Sequence, residues 1–116
     1  HINNREDMLR SPRRGQNFEA FVIEEVLKGL ESTTLVGWSY SYYRTRNGAE
    51  IDLILEGSFG TLPIEIKFGE STKLQNLTAL KNFCVQNNCP VGIVVNNSNE
   101  IRLLNERVIQ IPISYI

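Results

Sequence analysis

With 116 residues, 41% hydrophobic and 22% charged, the chain has room for one domain with a real core and none for a second. No apolar run approaches the roughly 20 residues that span a bilayer, and residues 1–14 lack the apolar stretch of a secretory signal, so no membrane role and a cytoplasmic location are expected. The net charge of −1 excludes a broadly basic surface, and the single histidine, His1, sets histidine catalysis and histidine metal cages aside.

Residues 1–14 are polar and irregular and read as the end of a cut from something longer; the folded domain is expected over residues 15–116. Arg5, Arg10, Arg13 and Arg14 form a local basic cluster there. Over residues 15–30, Phe18, Phe21, Val22, Val26 and Leu30 recur at helical spacing, and Gly29 marks the end. Residues 33–46 are rich in β-branched and aromatic side chains. Asn47-Gly48 is a strong hairpin signal, and a second strand runs over residues 49–56.

Gly57 to Gly60 supplies the next turn, and residues 62–68 alternate as a third strand. Ser71 and Thr72 open a second helix that carries Leu74, Leu77, Leu80 and Phe83 and runs to Gln86, stopping among Asn87, Asn88 and Pro90. Residues 91–95 form a buried strand, 101–104 a short edge strand, and 108–113 the closing strand. The order is α, β, β, β, α, β with a small β tail, an α/β domain. Cys84 and Cys89 lack the companion ligands of a zinc site and read as core thiols.

The charged residues of the central strands carry the chemistry. Side chains alternate along a strand, which groups Glu50, Asp52 and Ile54 on one face and Ile51, Leu53 and Leu55 on the other. A turn centred between Ser58 and Phe59 pairs Leu53 with Ile64 and Ile51 with Ile66. It also sets Asp52 opposite Glu65 and Glu50 opposite Lys67. The first hairpin brings Tyr42 opposite Leu53, which extends one apolar face over three strands. Two carboxylates facing across a ladder repel unless a cation or a shared proton compensates. Lys67 is one such cation, and a hard divalent ion such as Mg²⁺, which favours oxygen ligands, is the natural second. At about 100° per residue, Glu19 falls near the middle of the first helix's apolar arc, where a carboxylate needs a partner. An ordinary polar sheet face with one Glu–Lys pair accounts for the same residues if Glu19 reaches solvent at the helix end.

Three stretches together resemble a known family: residues 15–22 (GQNFEAFV), residues 43–52 (YRTRNGAEID) and residues 63–67 (PIEIK). They are similar to the C-terminal domain, of unknown function, of a group of prokaryotic AAA-type ATPases, itself similar to the PD-(D/E)XK superfamily of restriction and Holliday-junction nucleases. The resemblance covers the chain from Ser11 to Pro112. It implies a restriction-endonuclease-like αβββαβ core, a central mixed sheet flanked by helices. It also implies a catalytic set of Asp52 and Glu65 as ligands of Mg²⁺ or Mn²⁺, Lys67 as the residue that orients water and steadies phosphate charge, and Glu19 as an auxiliary ligand. Arg44, Arg46 and Gln75 are candidate nucleic-acid contacts, and an N-terminal ATPase domain of the same protein is the expected partner. Ile51 stands where the motif has proline. No Gly-rich phosphate loop is present, so no ATPase activity is expected of this chain. The resemblance thus leaves two functions open, a metal-dependent nuclease and a non-catalytic module that binds nucleic acid or protein.

Overall fold

The computed structural model describes residues 14–116 except Thr34, Asn47 and Ser71. The N-terminal segment with Arg5, Arg10 and Arg13 lies outside the described residues, as do the hairpin residue Asn47 and the helix-opening residue Ser71. Helix α1 (Arg14–Glu31) leads into a meander of β1 (Ser39–Arg44), β2 (Glu50–Gly57) and β3 (Gly60–Ile66). Helix α2 (Thr78–Gln86) then crosses to β4 (Gly92–Asn96), and the hairpin of β5 (Arg102–Leu103) and β6 (Val108–Pro112) closes the chain. The six described strands form one mixed sheet in the order β1-β2-β3-β4-β6-β5. Pairing is antiparallel through the meander and between β5 and β6, and parallel from β3 to β4 and from β4 to β6.

Each face of the sheet carries one helix. On the first face, Phe18 and Val22 of α1, both fully buried, meet Leu53, Leu55, Ile64, Ile66 and Val95. On the second, Phe83 and Cys84 of α2 meet Ile51 and Ile54, while Leu80 joins Leu77, Val94 and Val108. Val94 and Val95 thus point to opposite layers, as the two-residue period of a strand requires. Burying each such side chain contributes roughly 1.5–3 kcal/mol. Gly92 lets β4 approach α2 closely, since a Cβ there would stand 2.6 Å from Cys84 Sγ. Cys84 and Cys89 are free and buried, and burial pushes the Cys84 thiol up to about 11.

The second helix is shorter than the periodicity predicts. Leu74–Asn76 form a 3-10 turn, Leu77 leaves helical geometry at φ −116° and ψ 34°, and the α-helix begins at Thr78. The tighter turn aligns positions i and i+3, and it sends Leu74 and the fully buried Leu77 into the same cluster as Leu80.

A larger correction concerns β2. The β1–β2 register shifts between Ser41 and Tyr43, so that two β2 residues, Asp52 and Leu53, face the single residue Tyr42. This β-bulge breaks the alternation. Ile51 and Ile54 therefore face α2, while Leu53 and Leu55 face α1. Tyr42 does not extend the apolar face, being 67% exposed; Tyr43, opposite Ile51, packs edge-on against Phe83 instead. No described helix is long and apolar enough to cross a membrane.

Candidate functional site

The β2–β3 ladder runs from Gly57–Gly60 to Leu53–Ile64, the register that the turn predicts. Gly60, at φ +100°, sits in the left-handed region that favours glycine and lets the turn close. Beyond Leu53 the expected facing of Asp52 and Glu65 gives way to a different contact. The Ile66 amide donates to Asp52 Oδ2 at 2.8 Å, so the carboxylate occupies the place of a backbone acceptor between the two strands. The bulge makes this possible, because it frees Asp52 from strict pairing and turns its side chain toward β3.

Two more carboxylates converge on this point from different elements. Glu19, half-buried on α1, lies near enough to Asp52 for the two charges to act on each other. Burial, followed by the charge of Asp52, raises the Glu19 pKa, and nearby Arg44 opposes that rise. The Asp52 carboxyl is also raised by burial, against the stabilising bond from the Ile66 amide. Glu65, only 6% exposed, projects from β3 and is raised by burial against the pull of Lys67. The negative charges of Asp52 and Glu50 push it further up. Its Oε2 has no hydrogen-bond partner. Lys67 Nζ stands 3.7 Å away, near enough for charge attraction and too far for a hydrogen bond.

Glu65 and Lys67 line a cleft of about 440 Å³ with Glu50 of β2 and with Gln75, Asn76 and Asn82 from the α2 side. Gln75 is therefore placed at the mouth of the same site. Arg44 lies 3.8 Å from the Glu50 carboxylate and 5.2 Å above the Tyr42 ring, and Arg46 is exposed in the adjoining turn. Asp52 and Glu19 approach from the gap between the strands and the α1 side. Sequence periodicity missed the bulge and the Ile66–Asp52 bond; the unbroken apolar run Leu53-Ile54-Leu55, too apolar for a one-sided strand, was its available signal. Among the described residues no three His, Cys, Asp or Glu side chains are grouped closely enough to hold a metal ion by themselves.

Comparison with curated proteins finds no match. Residues 14–116 match the model of one family, whose description is Domain of unknown function (DUF4143), and the chain belongs to that family.

Proposed function

We propose that the chain is a metal-dependent phosphodiester hydrolase domain with a restriction-endonuclease-like core, working beside an ATPase domain of the same protein. One observation carries this reading: Glu65, which lines a polar cleft beside the half-exposed Lys67, has a buried carboxylate oxygen, Oε2, that lacks a hydrogen-bond donor. A buried carboxylate oxygen without a hydrogen bond is costly even beside a lysine at 3.7 Å, and a second cation in the cleft would relieve it. The donor set fits Mg²⁺ or Mn²⁺. Such ions take oxygen ligands and are commonly held by one or two carboxylates, with waters and substrate phosphates as the rest, so Asp52 and Glu65 suffice as protein ligands.

The chemistry a bound divalent ion supplies is Lewis-acid polarisation of the phosphoryl group and a more acidic water. The chain's own residues do the rest. The Ile66 amide fixes the Asp52 carboxylate in one orientation. Glu19, its pKa raised by burial and by the charge of Asp52, holds or releases a proton at the edge of the site. Lys67, whose side chain is 44% exposed, reaches solvent and substrate while anchored beside Glu65, where it orients water and offsets developing phosphate charge.

Thermal unfolding with Mn²⁺ tests the reading. Saturating metal should raise stability by about 2.7 kcal/mol at a hundredfold excess over Kd. Glu65→Gln should lose most of that gain. If Mn²⁺ stabilises neither protein, the hydrolase reading fails and a non-catalytic binding module is the better account.

A further inference from the structure

β1 is an edge strand, and its alternate side chains Tyr40, Tyr42 and Arg44, continued back to Trp38, form one stripe. Pairing fixes the side they occupy. Tyr40 lies opposite Leu55, which faces α1, whereas Tyr43 faces α2. The stripe is thus on the α1 side, yet beyond the reach of that helix, with Tyr40 59% and Tyr42 67% exposed. Nothing in the core requires two tyrosines to hold their rings in water. The Trp38 and Tyr40 ring centroids are 6.5 Å apart, and Arg44 lies over the Tyr42 ring. The Arg44 end of the stripe abuts the carboxylates, through its ion pair with Glu50 and its effect on Glu19.

Given the hydrolytic reading of the cleft, we infer that this aromatic stripe is a stacking platform for an unpaired single strand of nucleic acid, leading its backbone to Arg44 and Arg46 at the end of the sheet, where Glu50 borders the cleft on the α2 side. Flat, amphipathic rings on a solvent-facing strand offer every base a π-face, and such contacts tolerate any sequence. Alternate strand residues stand roughly 6.8 Å apart, so successive bases of an extended single strand can each meet a ring along the stripe. A duplex keeps its base faces covered and cannot use them. The near-zero net charge agrees with a surface that binds by stacking, with cations only where the backbone nears the carboxylates. Glu56, the nearest β2 carboxylate along the stripe, pairs with Ser39 and so belongs to the other face.

The 116-residue chain should be titrated against a labelled oligothymidylate and a duplex of equal length, in metal-free buffer at low salt, by fluorescence anisotropy. Tighter binding of the single strand is expected. Tyr40→Ala and Tyr42→Ala should each weaken it roughly 5- to 150-fold, and the phenylalanine variants should retain it, because stacking needs the ring and not the hydroxyl. Melting temperatures should not move, since the rings are exposed. Equal binding of strand and duplex, or alanine variants that bind normally, would overturn the inference. So would alanine variants that instead dissociate a dimer in light scattering, which would make the stripe an interface between copies through the β1 edge. Cleavage assayed in parallel separates the two readings. Ring-dependent binding without cleavage by the wild type sustains the platform and sinks the hydrolase; cleavage that survives both alanine changes does the reverse.

Discussion

The Asp52 carboxylate accepts the Ile66 amide and also adds negative charge to a cluster that already holds Glu19, Glu65 and Glu50. Substitution separates these roles. Asp52→Asn keeps an oxygen acceptor for the amide and removes the charge, so without metal its melting temperature should equal or exceed that of the wild type, while the Mn²⁺-induced shift disappears. Asp52→Ala leaves the amide of a buried isoleucine unpaired and should cost about 1–3 kcal/mol. An asparagine variant as damaged as the alanine one would show that the charge is structural. The raised carboxyls also set a pH dependence. A carboxyl whose pKa is higher in the folded state binds protons more tightly there, so it contributes least to stability when pH lies above both its values. For Glu19, Asp52 and Glu65 the unfavourable effect grows as pH rises from their ordinary values, 3.8 for Asp52 and 4.5 for the glutamates, through the raised ones. The metal-free protein should therefore gain from these groups as pH falls into that window. The Mn²⁺ shift should change oppositely, growing with pH because metal displaces the protons. Melting curves of wild type and Asp52→Asn across mildly acidic to neutral pH check both signs, the mutant having the flatter profile.

At the level of elements, the site depends on a one-residue irregularity between two strands and on tight contact between β4 and α2. Gly92→Ala tests the second. The added methyl meets the buried Cys84 sulfur at 2.6 Å and Leu80 at 3.2 Å, so a loss of about 1–3 kcal/mol is expected, measurable by denaturant titration. Cys84→Ala should restore part of that loss by removing the obstructing sulfur. The same elements show what was legible in the sequence. The Gly57 to Gly60 turn announced the β2–β3 register, and the helical spacing of Phe18, Val22 and Val26 announced which face of α1 would be covered. It also announced that Glu19 would lie among them, where its environment raises its pKa. The faces of β2 were not legible. Strict alternation assigns Ile51 and Leu53 to one layer, but the bulge sends them to opposite ones, and a bulge is decided by how both neighbouring strands fit, not by local pattern. The ladder stops at Leu53 and Ile64 for the same reason, so Asp52 meets the Ile66 amide between the strands while Glu65 lines the cleft. The break at Leu77 was equally hidden, because helical and 3-10 spacing share the i, i+3 contacts that place Leu74, Leu77 and Leu80 together.

Taken whole, the molecule assembles its charged residues from α1, β2 and β3 on a chain of net charge −1, so its field neither attracts nor excludes a polyanion strongly. Catalysis would rest on local groups, which makes Lys67 the most informative residue to remove. Its ammonium stands 3.7 Å from the Glu65 oxygen that lacks a hydrogen bond, it lines the cleft, and it lowers the carboxyl pKa of both Glu65 and Asp52. Lys67→Ala takes away a positive charge without taking away a metal ligand. The Mn²⁺-induced rise in melting temperature should therefore persist, and could increase as the cleft becomes more negative. Phosphodiester cleavage should fall by about 100- to 1,000-fold, the usual cost of losing one electrostatic contact to a transition state. The assay should compare single-stranded, duplex and branched DNA with Mg²⁺ and Mn²⁺ at low salt, because a nearly neutral domain binds weakly and added salt masks it. A variant that keeps both the metal response and full cleavage would remove Lys67 from the mechanism. A variant that loses the metal response as well would show that the lysine organises the carboxylates instead of acting on the substrate.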